Sequence, residues 1–179
     1  MLAVENKPLS ADESALPNLR IHHLFEAQVA KQPDATAILF GNESLTYREL
    51  DDQANQLANY LLSTGVKPGQ LVGLCAERSI EMAIGIWGII KAGCGYVPIS
   101  PEYPTDRLSF ILEDSGISTL LTQSKFKQKF TSASIDILSL DKDWAQSISS
   151  QSSTNPQLEL ASDNPVYLIY TSGSTGTPK

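Results

Sequence analysis

The stretch QLVGLCAERSIEMAIGIWGIIKAGCGYVPIS, Gln70 to Ser100, decides the fold. QLVGLCA is a short, almost continuously apolar run and reads as a buried strand. SIEMAIGIWGIIKAG reads as a helix begun by Ser79 as N-cap and stopped at Gly93. The apolar heart of that helix, MAIGIWGII between Glu81 and Lys91, is less than half of the ~20 residues a membrane span requires, so it reads as a buried helix. YVPIS follows as a short extended piece. Strand, helix and strand in succession is the alternation of an α/β fold with mainly parallel strands flanked by helices.

The same alternation continues outward in both directions. Downstream, PEYP leads into a second capped helix, TDRLSFILEDSG, and then to two more strands, ISTLLTQ and IDILSLD. Upstream, SLTYRELDDQANQLANYLLSTGVKPG carries a capping box at Thr46 and Glu49 and an apolar stripe at Leu50, Ala54, Leu57, Ala58 and Leu61. Gly65 supplies its stop, with Pro68 beyond. Before it lies a short β run, TAILFG, with turn chemistry at Gly41 and Asn42, and before that a helix over NLRIHHLFEAQVAKQPD that ends ahead of Pro33. Ile21, Leu24, Phe25 and Val29 give that first helix its apolar positions. His22 and His23 are neighbours, so their side chains point in different directions and do not share a metal; surface or helix-packing roles suit them. From Trp144 the composition shifts, and AQSISSQSSTNPQLELASDN reads as a surface loop or linker. VYLIY then reads as a buried β run feeding directly into TSGSTGTPK. No repeat of solenoid period is visible.

Composition narrows the function classes. The 179 residues are 41% hydrophobic, enough to bury a real core. Thirteen basic residues against twenty acidic ones leave a net charge of −7, with a pI near 4.7. No general positive field exists to collect nucleic acid or an anionic membrane, so any polyanion must be held locally. Cys75 and Cys94 have neither CxxC nor zinc-finger spacing and read as small apolar residues in a reducing compartment. The opening MLAVENKPLSADESALPNLR carries acids and no long apolar run, which argues against a signal peptide and for a cytoplasmic protein.

The closing YTSGSTGTPK, Tyr170 to Lys179, suits a polyanion. Glycines let backbone N–H groups approach phosphate oxygens, hydroxyls add donors, and lysine adds charge. A flexible polar tail is the alternative reading. The GxxxxGK pattern of a Walker A loop fails because Pro178 precedes Lys179, and GxGxxG fails because Gly173 and Gly176 are the only glycines. A loop leaving the carboxyl end of a strand in an α/β sheet is nevertheless where such folds bind ligands.

Three segments, LTYREL at Leu45 to Leu50, KAGCGYVPISPEYPTDRL at Lys91 to Leu108, and YTSGSTGTPK, together resemble the first three core motifs of the adenylation domains of nonribosomal peptide synthetases. These domains belong to the adenylate-forming, AMP-binding superfamily, which includes acyl-CoA synthetases and luciferases. The resemblance is collinear and runs from about Ile21 to Lys179, opened by IHHLFEAQVAKQPDA. It implies that residues 21–179 form the N-terminal portion of such a domain, part of the family's large subdomain with layered sheets flanked by helices. Residues 1–20 are then a linker or the end of a preceding condensation-type domain.

The resemblance further implies an ATP-dependent ligase that joins an amino acid or other carboxylic acid to AMP, releases pyrophosphate, and passes the acyl group to phosphopantetheine on a peptidyl carrier domain. Thr171, Ser172, Gly173, Ser174, Thr175, Gly176 and Lys179 would hold the ATP β- and γ-phosphates, with Mg2+ accompanying the nucleotide. The other two motifs read as structural: a helix cap at Thr46 and Glu49, and at Gly93 and Gly95 a helix stop and a tight backbone crossing. Ser100 departs from the usual aspartate of the family pattern, and Cys94 from a small glycine or alanine. On this reading the ribose-binding aspartate and the C-terminal lobe with its catalytic lysine would follow Lys179, and the 179 residues alone would be inactive and incompletely stable. The alternatives are a stand-alone acyl-CoA or aryl-acid ligase and a nonenzymatic remnant or interaction module.

Overall fold

The computed structural model describes residues 20–130, 134–158, 160 and 164–171. In chain order the elements are α1 (Ile21–Lys31), β1 (Thr36–Phe40), β2 (Glu43–Thr46), α2 (Tyr47–Ser63), β3 (Leu71–Cys75), α3 (Ile80–Lys91), β4 (Gly95–Pro98), α4 (Thr105–Ser115), β5 (Thr119–Thr122) and β6 (Asp136–Ser139). A 3-10 helix, Ser124–Phe130, lies between β5 and β6, and a short π-helical turn, Trp144–Ile148, follows β6. The protein is an α/β fold. β4, β3, β5 and β6 form one sheet in that order, every pairing parallel, while β1 and β2 form a separate antiparallel hairpin turning at Gly41 and Asn42.

The local signals in the sequence are realised by bonds. Thr46 Oγ1 accepts from the Glu49 N–H at 3.2 Å and Glu49 Oε2 accepts from the Thr46 N–H at 2.8 Å, closing the capping box of α2. These bonds hold the Glu49 carboxyl below the usual range. Ser79 Oγ accepts from the Met82 N–H at 3.2 Å and starts α3. Gly93, at φ +74°, turns the chain out of α3 in a left-handed conformation that L side chains rarely adopt. α4 differs from expectation: Thr105 is its first helical residue, Pro104 occupies the cap position, and no side chain caps it. Proline serves there through its preset φ.

The sheet is covered on both faces because its strands alternate. Val72, Leu74, Leu121 and Leu138 pack with Leu50, Leu57 and Leu61 of α2 and Ile84 and Ile89 of α3. Cys75, Val97 and Leu120 turn the other way, onto Leu108 and Ile111 of α4 and onto Phe130. Both cysteines are free and buried, and burial pushes both thiols up to about 11, as befits apolar fillers.

Four details depart from the sequence reading. β2 has no separate signal in the sequence, because its four residues run straight into the capping box. The His22 and His23 rings do not diverge; they meet edge to face with centroids 4.3 Å apart. Burial lowers His22 to about 4, with the His23 charge adding to the effect. VYLIY is not a buried strand. It runs extended beside the outer edge of β4 with one parallel bridge, Tyr96 to Tyr167, and Val166, Tyr167, Leu168 and Ile169 are exposed. Nothing in the described residues covers that side of the run, so its apolar side chains stay uncovered. The polar segment after Trp144 is no free linker but is docked along α2. Asn55 Nδ2 donates to the Ser153 carbonyl at 2.9 Å, Gln56 Nε2 to Ser149 at 2.9 Å, and Asn59 Nδ2 to Ser152 at 2.8 Å.

Candidate active site at the carboxyl rim of the sheet

Parallel strands all point the same way, so Cys75, Pro98, Thr122 and Ser139 end on one rim. The extended run 164–171 joins that order. The Tyr96 N–H donates to the Val166 carbonyl and the Leu168 N–H donates to the Tyr96 carbonyl, both at 3.0 Å. Because the run is parallel to β4, its end at Thr171 arrives at the carboxyl rim, exposed. Ser172, Gly173, Ser174, Thr175, Gly176 and Lys179 lie outside the described residues.

Side chains tie the rim loops together. Thr122 Oγ1 donates to the Cys75 carbonyl at 2.8 Å, and Gln123 Oε1 accepts from the Glu77 N–H at 3.1 Å, joining the ends of β3 and β5. Ser124 donates through its N–H and its hydroxyl to the two Asp141 oxygens at 2.8 and 2.7 Å, which brings in the loop after β6. The hydroxyl and backbone N–H of Ser124, with further backbone N–H groups, hold the Asp141 carboxyl below its ordinary range despite partial burial. Lys125 pairs with Glu77, and Lys129 donates to the Pro101 carbonyl. Gln123 and Asp141 escape a reading of the sequence, since neither stands in a motif and their partners lie well away in the chain.

Beside the rim lies an open groove of about 420 Å³, lined among others by Arg78, Tyr96, Ser100, Tyr103, Ile169 and Tyr170. Its walls come from the end of β3 and the loop after it, from Met82 and Ile86 of α3, from β4 with the PEYP loop, and from the extended run that ends at Thr171. Ser100 Oγ accepts from the Glu102 N–H at 3.2 Å, so the serine that departs from the expected aspartate still closes the local turn. Gly95 performs the close crossing read from the sequence: a Cβ there would meet the Pro165 carbonyl at 3.0 Å and Leu71 Cδ2 at 2.9 Å. Tyr170 is buried, donates its hydroxyl to Asp114 Oδ2 at 2.6 Å, and meets Phe110 edge to face at 6.2 Å. Burial and the Asp114 hydrogen bond push its phenol up to about 12. Among the described residues, no helix is long and apolar enough to cross a membrane.

Comparison with known proteins agrees with this geometry. The family model described as AMP-binding enzyme matches residues 25–179. Bacitracin synthase 3 of Bacillus licheniformis is 45% identical over 163 residues, covering 91% of this chain and 2% of that protein. Zwittermicin A synthase ZmaJ of Bacillus cereus is 48% identical over 161 residues, covering 89% of this chain and 30% of its own length. The chain therefore spans a small part of the curated relatives it matches. Among solved structures, the nonribosomal peptide synthetase FmoA3 in its alpha-methyl-L-serine-AMP bound form superposes with a TM-score of 0.81 at 34% identity, covering 91% of this chain and 18% of that one. The N-terminal subdomain of Klebsiella oxytoca NpsA, in complex with 3-hydroxybenzoyl-AMSN, superposes with a TM-score of 0.75 at 27% identity, covering 89% of this chain and 39% of that one. With a doubly covered parallel sheet, an extended run whose Thr171 reaches its carboxyl rim, and a family match over residues 25–179, this chain belongs to the AMP-binding enzyme family.

Proposed function

We propose that residues 21–179 are the N-terminal portion of an amino-acid-activating adenylation domain in a modular nonribosomal peptide synthetase. The observation that carries this reading is the parallel approach of the run 164–171 to β4, which brings Thr171, and with it the start of the TSGSTGTPK segment, to the carboxyl rim. The donor set of that segment fits a polyphosphate. Hydroxyls of Thr171, Ser172, Ser174 and Thr175, the N–H groups of Gly173 and Gly176, residues without a Cβ, and the ammonium of Lys179 suit the β- and γ-phosphates of ATP. ATP, with Mg2+, supplies the activated phosphorus that the substrate carboxylate attacks. The chain's own residues orient the phosphates and stabilise charge on the departing pyrophosphate, a task of positioning rather than covalent chemistry.

The substrate is an amino acid or related carboxylic acid, and the partners are a peptidyl carrier domain bearing phosphopantetheine and a neighbouring condensation domain. Residues 1–20 serve as the linker or the end of that neighbour. The setting is cytoplasmic. A stand-alone acyl-CoA or aryl-acid ligase is the weaker reading, because identity is higher to the nonribosomal peptide synthetase FmoA3, 34%, than to the NpsA subdomain solved with an aryl ligand, 27%.

The test is amino-acid-dependent ATP–pyrophosphate exchange by the polypeptide carrying this chain. Exchange with a particular amino acid is expected, and its absence across amino and aryl acids would leave the remnant reading. Lys179→Ala is expected to remove about 1 to 3 kcal/mol of transition-state stabilisation, roughly five- to 150-fold in kcat/KM. Unchanged exchange kinetics would take the phosphate role away from Lys179.

A further inference from the structure

We propose that Tyr170, through its bond to Asp114, is a positioning residue that sets the root of the phosphate loop; the inference rests on the reading of Thr171 to Lys179 as that loop. Across residues 164–171, Tyr170 alone is buried. Among the described residues, backbone pairing of the run with β4 ends at Leu168. Beyond that point Tyr170 carries the attachment. Its ring enters the core under α4 beside Val97, Ile99, Leu108 and Ile111.

The hydroxyl has a separate role from the ring. A phenyl group would fill the same apolar space, so the hydroxyl is explained by its 2.6 Å bond to Asp114, of the short type made to a carboxylate. Asp114 stands where a helix does not favour it. It lies in the last turn of α4, beside Glu113 and without a basic residue in that turn, at the negative end of the helix dipole. The bond to Tyr170 compensates a carboxylate in that position. Phe110, one turn earlier, completes the seat against the ring edge.

Both Tyr170 and Tyr103, which precedes α4, line the same groove, so α4 links the groove wall to the residue from which the loop departs. Loop N–H groups must be aimed to within about an ångström to stabilise a transferring phosphorus, and a misplacement of that size costs about a hundredfold in rate. A bond at the residue directly before Thr171 acts on that aim.

The experiment compares Tyr170→Phe, Asp114→Ala and Asp114→Asn in the polypeptide that carries the chain. It reads ATP–pyrophosphate exchange, amide hydrogen exchange over Thr171–Lys179, and Tm. Tyr170→Phe and Asp114→Ala are each expected to worsen kcat/KM for ATP about tenfold or more while KM for the amino acid stays within about twofold. Amide exchange over Thr171–Lys179 should rise, the double variant should be no worse than either single one, and Asp114→Asn, which keeps an acceptor, should recover most of the loss. A lowered Tm with unchanged ATP kinetics and unchanged loop protection would make the bond merely structural and overturn the inference. If the parent shows no amino-acid-dependent exchange, the proposed function fails by itself, and the amide-exchange comparison still decides whether Tyr170 and Asp114 order the loop.

Discussion

At the scale of single residues, Lys91 shows how far chemistry can hide inside a motif. Its ammonium is 2.8 Å from Glu26 Oε1, from Asp51 Oδ1 and from Asn155 Oδ1, and its side chain is 1% exposed. One cation thus ties α1, α2 and the docked polar segment to the end of α3. In the sequence Lys91 reads only as the end of an apolar helix, where a lysine ordinarily reaches water and answers the helix dipole. Burying an ammonium is costly unless it is fully paired, and removing one partner of a buried ion pair costs about 3–5 kcal/mol. Glu26 keeps some solvent contact, so Lys91→Ala is expected near the lower end, about 3 kcal/mol, read as a lowered urea midpoint with the slope unchanged. A loss below about 1 kcal/mol would show that both carboxylates swing out to water at little cost.

At the scale of elements, α2 and α3 pack through a missing side chain. A Cβ on Gly88 would lie 2.5 Å from Leu57 Cδ2, 2.7 Å from its Cγ and 2.9 Å from its Cβ. Two opposing effects meet at this position. Alanine is favoured over glycine inside a helix by about 1 kcal/mol, while overpacking a filled core costs about 1–3 kcal/mol. Sterics should win, because Leu57 is fully buried and its Cβ cannot rotate away. Gly88→Ala is therefore expected to lower stability by about 1–2 kcal/mol, and a raised Tm would refute the close packing of the two helices. The helix itself was legible from its apolar run and its Ser79 cap. The purpose of Gly88 was not, because it depends on which residue of α2 lies opposite. The segment after Trp144 was opaque for a related reason. Its serines and glutamines look the same in a free linker as in a segment whose backbone carbonyls are held by Asn55, Gln56 and Asn59.

At the scale of the whole molecule, the chain buries its sheet on both faces yet leaves an apolar border beside β4. Tyr167 and Ile169, two residues apart and thus on one side of the extended run, are 57% and 52% exposed. A border of this kind binds other apolar surface, its own copies included. Replacing both residues by serine in the 179-residue chain is expected to lower light scattering and the binding of an apolar dye without loss of helical signal. Unchanged scattering would place the association elsewhere, for instance at Leu39 and Phe40 of the hairpin, which are also exposed.

Residue order suffices for the succession of strands and helices, the caps at Thr46 and Ser79, the turn at Gly93, the α/β class and the family resemblance. All of these rest on short-range pattern: periodicity, capping chemistry and motif residues close in the chain. It took three-dimensional packing to leave VYLIY exposed, to make Lys91 a buried junction, and to bring Tyr170 to Asp114 across 56 positions of sequence. Burial and pairing at those sites depend on what the fold places opposite, and a partner far along the chain leaves no local trace.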